Sequence, residues 1–408
     1  MFINIAPLIH KNEVVKYQKF TADYIFDGYT TEQHKVVVTN EQGIIEAVIP
    51  TSEAGEDVLY TEGMLTPGFI NCHCHLELSH LKGKIPEQTG LVDFILQILQ
   101  NRNADKEAIE AAIVKADEEM YNNGIVAVGD ISNTAFTLLQ KTKSKIHYHN
   151  FIEISGFSPQ IATQRFADGM EIYQSFKEYF PNQTSIVPHA PYSVSPELFQ
   201  LIAQANLGNN ISSIHNQETI AENELFMHGT GDFYRLYQTL QIPIASFFKP
   251  TNKTSLASIY PYMQQNKNIL WVHNSFTSDI DIEIIQKNSQ QQQHFWCICV
   301  NANKYIENIY PPISLLKTNQ THCVLGTDSL ASNHQLNILD EIKTIKHQYP
   351  FMLDEELLIW ATINGAKALK VEKQFGCFTK GKKPGVNCIQ NLSTNGEINS
   401  QSQVNKIL

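Results

Sequence analysis

At 408 residues the chain has room for one large domain or two ordinary ones. Its 42% hydrophobic and 17% charged residues describe a globular protein. A formal net charge of -11 argues against a nucleic-acid backbone as partner, because that surface calls for a basic stripe.

Met1 to Glu13 has no basic start followed by a long apolar run, so no secretory signal is expected. Apolar runs such as Leu91 to Leu99 fall short of a membrane span. Seven cysteines without a disulfide spacing point to a reducing cytoplasm. Cys72/Cys74 and Cys297/Cys299 each enclose one residue, where zinc pairs usually enclose two or more, and read as small core residues.

From about Lys19 to Tyr60 short bursts such as Ala22 to Phe26, Lys35 to Val38 and Ile44 to Ile49 alternate with turn residues, which predicts a small antiparallel sheet. From Leu65 onward eight short apolar strands follow: Gly68–Cys72, Gly124–Gly129, Ile146–Ile154, Ser185–Pro188, Ser212–His215, Ile269–His273, Phe295–Val300 and His322–Gly326. Helical patterns separate them, as with Ile109, Ala112, Ile113, Ala116 and Met120, which share one face before Gly124. After the last strand, Leu336, Leu339, Ile342 and Ile345 repeat the pattern up to Pro350. Eight alternations predict an α/β fold with a (β/α)8 barrel of the triosephosphate-isomerase kind; an open doubly wound sheet is the alternative. The tail from Val371 returns to turns and strands that rejoin the N-terminal sheet. Residues 1–65 and 371–408 are thus expected to build a small β-sandwich, and 66–370 the barrel.

In such a barrel the C-terminal strand ends meet at one mouth. Here those ends read His73-Cys74-His75, His189, His215, His273 and Asp328, in a chain of only 15 histidines. His73 and His75, two apart in extended chain, point the same way and can reach one ion. His215 and Asp328 would complete a shell with room for water. Glu218, three residues past His215, is placed to move a proton to a leaving amine; as an alternative it is a first-turn acid favoured by a helix dipole. His273 would hold the attacking water, or simply bond a backbone carbonyl. His189, between Pro188 and Pro191, sits in a rigid loop facing substrate. No lysine ends the fourth strand, which favours one ion over two.

These residues resemble the amidohydrolase superfamily over nearly the whole chain. Thr66 to His75 is similar to its first-strand motif, and His215 with Glu218, Val272-His273, Leu325 to Ser329 and Gly381 to Gly385 follow in the family's order. Within the superfamily the chain resembles the mononuclear deaminase and chlorohydrolase branch, and more narrowly the adenosine-type and aminofutalosine deaminases. His75 to Ser79, His189 to Ser193 and Cys299 to Asn308 carry that narrower likeness, with departures at Val300 and Lys304.

The resemblance implies one divalent ion, zinc or iron, on His73, His75, His215 and Asp328. It also implies proton transfer by Asp328 and Glu218 assisted by His273, and substrate contacts from His189, Glu77 and Asn303. The substrate implied is a small adenine-type nucleoside; no membrane or nucleic acid takes part, and self-association stays open. Alternatives are chlorohydrolysis, guanine, cytosine or formimino deamination, and a structural relative without catalysis.

Overall fold

The computed structural model of the protein describes residues 16–206, 211–289 and 291–408; Met1 to Glu13 lies outside them. Strands β1 (Tyr17–Phe26), β2 (Thr31–Glu32), β3 (Lys35–Asn40), β4 (Ile45–Pro50) and β5 (Val58–Pro67) come first. They share one seven-stranded sheet with β14 (Val386–Gln390) and β15 (Gln403–Lys406), ordered β15-β14-β5-β1-β3-β4 with β2 on β1. The tail therefore rejoins the N-terminal strands, through β14 antiparallel to β5. The expected all-antiparallel pairing needs correction, because β1 and β5 run parallel, Lys19 opposite Val58 and Ile25 opposite Leu65. Alternation of side chains sets which faces are buried but is silent on the direction of the neighbouring strand.

Between these segments lie β6 (Phe69–Cys74), β7 (Ile125–Ser132), β8 (His147–Ile154) and β9 (Thr184–Pro188), then β10 (Ile211–Asn216), β11 (Asn268–His273), β12 (Gln293–Ile298) and β13 (His322–Leu325). They form two four-stranded parallel sheets, β6-β7-β8-β9 and β10-β11-β12-β13. Each is buried on both faces, which explains the near-continuous apolar runs. Ile269 and Trp271 pack on the outer side, whereas Leu270 and Val272 belong to a separate inner cluster.

The helix Lys106–Asn122 lays Ile109, Ile113, Ala116 and Met120 on the first sheet. Its counterpart Ile338–Gln348 buries Leu339, Ile342 and Ile345. Two seams join the sheets. His215 N–H donates to the His189 carbonyl at 3.0 Å, and Thr327 and Asp328 N–H both donate to the His73 carbonyl at 3.1 Å. Gly326 permits the second seam, since a Cβ there would lie 2.9 Å from Cys297 Sγ, Cys299 Sγ and His73 Cβ. All seven cysteines are free and buried, in line with the core reading. Among the described residues no helix is long and apolar enough to cross a membrane.

Candidate active site

The two seams bring strand ends with polar tips to one place. His75 Nε2 lies 3.2 Å from both His73 Nε2 and His215 Nε2. Asp328 Oδ1 lies 3.4 Å from His73 Nε2 and 3.3 Å from His75 Nε2. His273 offers a ring nitrogen to the same group, within 4.8 Å of those of His73 and His215 and of the Asp328 carboxylate. All five side chains are buried.

His215 Nδ1 donates to the His189 carbonyl at 2.9 Å; the carbonyl can only accept, so the lone pair of His215 is on Nε2 and aims into the cluster. Burial drives the His75 ring down to about 3 and His215 well below the usual imidazole value, disfavouring their charged forms. Burial works to raise the Asp328 carboxyl, but the His73 hydrogen bond and the nearby His75 and His273 hold it well below the ordinary value.

This set fits a divalent cation. A tetrahedron of ligands about 2.0–2.1 Å from its centre has edges of about 3.3–3.4 Å, and the four close contacts run from 3.2 to 3.4 Å. Imidazoles that turn bare Nε2 atoms toward one another at this distance repel unless a cation lies between. Among the described residues His73 Nδ1 has no hydrogen-bond partner, so no contact there fixes the ring's hydrogen and Nε2 is free to ligate. Imidazole with carboxylate suits zinc and iron alike.

Glu218 is not in the first turn of the following helix. That helix spans Ile220–His228 with Thr219 as its cap, and its first-turn acid is Glu222. Glu218 precedes it, 4% exposed, with Oε1 3.6 Å from His273 Nε2. Gln217 aims it: left-handed at φ 48°, its buried amide donates to Asp281 and accepts from Thr277. Burial and then the Asp328 charge push the Glu218 carboxyl well above its ordinary value.

His189 Nδ1 meets Ser193 Oγ at 2.5 Å, and its ring centroid lies 4.8 Å from that of His215. Glu77 accepts three hydrogen bonds at Oε2, from Asn133 N–H, Thr134 N–H and Thr134 Oγ1, and burial lifts it to about 7. Asn303 is 1% exposed beneath His273: its amide bonds His273 and Ser275. Two open clefts, of about 540 and 650 Å³, lie elsewhere, against Tyr24 and Tyr60 and between Lys304 and His347.

Several members of the surrounding shell were not foreseen. Ser332 Oγ donates to Asp328 Oδ2 at 2.5 Å, one turn beyond the aspartate. Glu153, at the end of β8, brings Oε1 within 3.3 Å of His215 Nδ1. The buried pair Asp130–Lys141, 2.6 Å apart, stands behind Leu76, whose N–H donates to Asp130 Oδ1. Glu153 and Lys141 carry no motif because their partners come from other strands, and Ser332 meets Asp328 only through the fold of their shared loop.

The chain belongs to the amidohydrolase family, whose pattern matches residues 64–403. Among curated proteins it is 27% identical to the adenosine deaminase of Helicobacter pylori over 320 residues, 76% of this chain and 75% of that protein. It is 24% identical over 317 residues to the aminodeoxyfutalosine deaminase of Nitratiruptor sp., 76% of this chain and 75% of that one. Among solved structures, Helicobacter pylori aminofutalosine deaminase with methylthio-coformycin superposes with a TM-score of 0.79 at 22% identity, covering 92% of this chain and 93% of that. An adenosine deaminase from Xanthomonas campestris with bound zinc gives 0.68 at 20% identity, covering 91% and 84%.

Proposed function

We propose that the protein hydrolytically deaminates an adenine-type nucleoside, with aminofutalosine or a related 5′-substituted adenosine as the substrate class. The observation that carries this is the convergence of His73, His75, His215 and Asp328, with the buried Glu218 carboxyl 3.6 Å from His273. The names of the deaminase relatives support it.

His73, His75, His215 and Asp328 would hold one divalent cation. When bound, the cation supplies Lewis-acid charge that draws the pKa of water toward neutrality. Asp328, ionised and steadied at Oδ2 by Ser332, accepts the proton that the attacking water gives up. His273 Nε2 orients that water. Glu218 delivers its proton to the ring nitrogen as the water oxygen bonds to the ring carbon; the proton taken by Asp328 then passes to the amino group, the carbon–nitrogen bond breaks to release ammonia, and the new hydroxyl returns its proton to Glu218. His189 and Glu77 contact the substrate.

The scaffold we propose for this chemistry is a closed (β/α)8 barrel over 66–370, flanked by a sandwich of 1–65 and 371–408. Hydrogen bonds at both seams support closure, and so does the inner cluster, which takes Ile70, Ala127, Phe151, Val187, Ile211, Leu270, Phe295 and Val324 from eight successive strands.

The test is to load purified protein with zinc and measure ammonia release from a panel of adenosines varied at the 5′ position. Silence across the panel from metal-bound protein refutes the nucleoside assignment; protein that binds no metal refutes the mechanism as well.

A further inference from the structure

His273 ends β11 in the left-handed region at φ 75°, and Asn274 follows at φ 61°. Such a conformation persists only where the surroundings impose it. The neighbour that grips this residue is Asn303, in the helix Val300–Glu307 that follows β12. Its amide spans both ends of His273: Nδ2 donates to the His273 carbonyl at 3.3 Å and to Ser275 Oγ at 2.9 Å, while Oδ1 lies 2.7 Å from the ring Nδ1.

These contacts determine a proton position. A backbone carbonyl only accepts, so the amide end facing it is the NH2 group, and the end facing the ring is the oxygen. The oxygen only accepts in turn, so the hydrogen on that bond belongs to His273 Nδ1. Nε2 is left bare, and it is Nε2 that faces Glu218 Oε1 at 3.6 Å.

We infer that Asn303 is a positioning residue that locks His273 in the Nδ1–H tautomer, so that the ring meets water or the Glu218 carboxyl as an acceptor. Asn303 then makes no contact with substrate, contrary to the expectation from sequence. An amide is required because it accepts at one end and donates at the other. Aspartate would keep the acceptor and lose the donor; leucine would keep the bulk and lose both. The catalytic consequence rests on the function proposed above, whereas the tautomer does not.

The test has two arms on the zinc-loaded full chain. Protein labelled with ¹⁵N-histidine reports which ring nitrogen carries hydrogen through the nitrogen–carbon-proton couplings, with the His273 signal assigned by its loss in His273→Gln. The expected result is Nδ1–H in the wild type and in Asn303→Asp, and a shift toward Nε2–H in Asn303→Leu. In steady-state kinetics Asn303→Leu should lower kcat about 10–100-fold, the range for removing an orienting partner. KM and metal content should stay within about twofold of wild type, and Asn303→Asp should recover part of the rate.

An Nε2–H signal in the wild type overturns the inference, as does an Asn303→Leu variant that raises KM and spares kcat. A wild-type protein that deaminates no nucleoside refutes the proposed function instead, and leaves the tautomer arm to decide this one.

Discussion

Replacing Lys141 by methionine keeps a long buried side chain and removes its charge. Lys141 and Asp130 have side chains 0% exposed, and their 2.6 Å contact is reinforced by Lys141 Nζ on Ser132 Oγ at 3.1 Å and Asn150 Oδ1 at 2.9 Å. Removing one member of a buried pair costs about 3–5 kcal/mol because the other charge is left uncompensated. An unfolding entropy of about 2.1 cal/mol/K per residue gives about 0.9 kcal/mol/K for 408 residues unfolding as one unit. The expected drop in Tm is therefore about 3–6 °C.

Burial already raises the Asp130 carboxyl above its ordinary value, against the pull of Lys141, and loss of the ammonium raises it further. A carboxyl whose folded value lies above its unfolded one loses stability as pH rises between the two. The deficit of Lys141→Met should thus be larger near pH ~8 than near pH ~5. Thermal melts followed by circular dichroism at both values check this, alongside Asp130→Asn/Lys141→Met, which should recover most of the loss. A single variant that melts within about 1 °C of wild type at the higher pH, or a double variant no better than the single, refutes the reasoning.

Asp328→Asn should fold with an unchanged far-ultraviolet spectrum and lose turnover, since an amide cannot take the proton of water. Ser332→Ala removes the donor to Asp328 Oδ2; kcat should fall about tenfold with metal content retained, as read by elemental analysis. Glu218→Gln should bind metal normally and lower kcat by about 10²-fold or more; loss of metal in that variant would contradict the division of labour. Stripping the metal with a chelator should abolish activity and lower Tm, and added zinc should restore both, because a ligand that binds only the folded state stabilises it.

Much of the architecture was legible because each of the eight core strands is short and apolar and helical segments separate them. The observed β6 to β13 fall on the eight segments expected. The strand ends that meet were legible for the same reason, as polar residues closing apolar runs. Parallel pairing of β1 with β5 was not, since Phe20 and Ile25 would be buried with either direction of neighbour. The groups behind the site were also hidden. Glu153 and Lys141 gain their meaning from atoms brought up by other strands, and Ser332 from the fold of the loop it shares with Asp328. Asn303 was named from the sequence, but as a substrate contact; its place beneath His273 depends on a backbone carbonyl, which has no letter in a sequence. Glu218 was read beside a first-turn alternative, and the left-handed Gln217, which turns the chain before the helix, removes that alternative.

The two seams have one more consequence. The four converging side chains divide between the two sheets: His73 in β6 and His75 just past it on one side, His215 in β10 and Asp328 just past β13 on the other. Their main chains also carry the stitches: the His73 carbonyl takes both N–H groups of Thr327 and Asp328, and the N–H of His215 reaches the His189 carbonyl. An ion gripped there would act as a rivet between halves that are each hydrogen-bonded within themselves. Its removal should loosen the joint before either half, so that amide hydrogens of His215, Thr327 and Asp328 exchange faster while those in the middle of β7 and β12 stay protected.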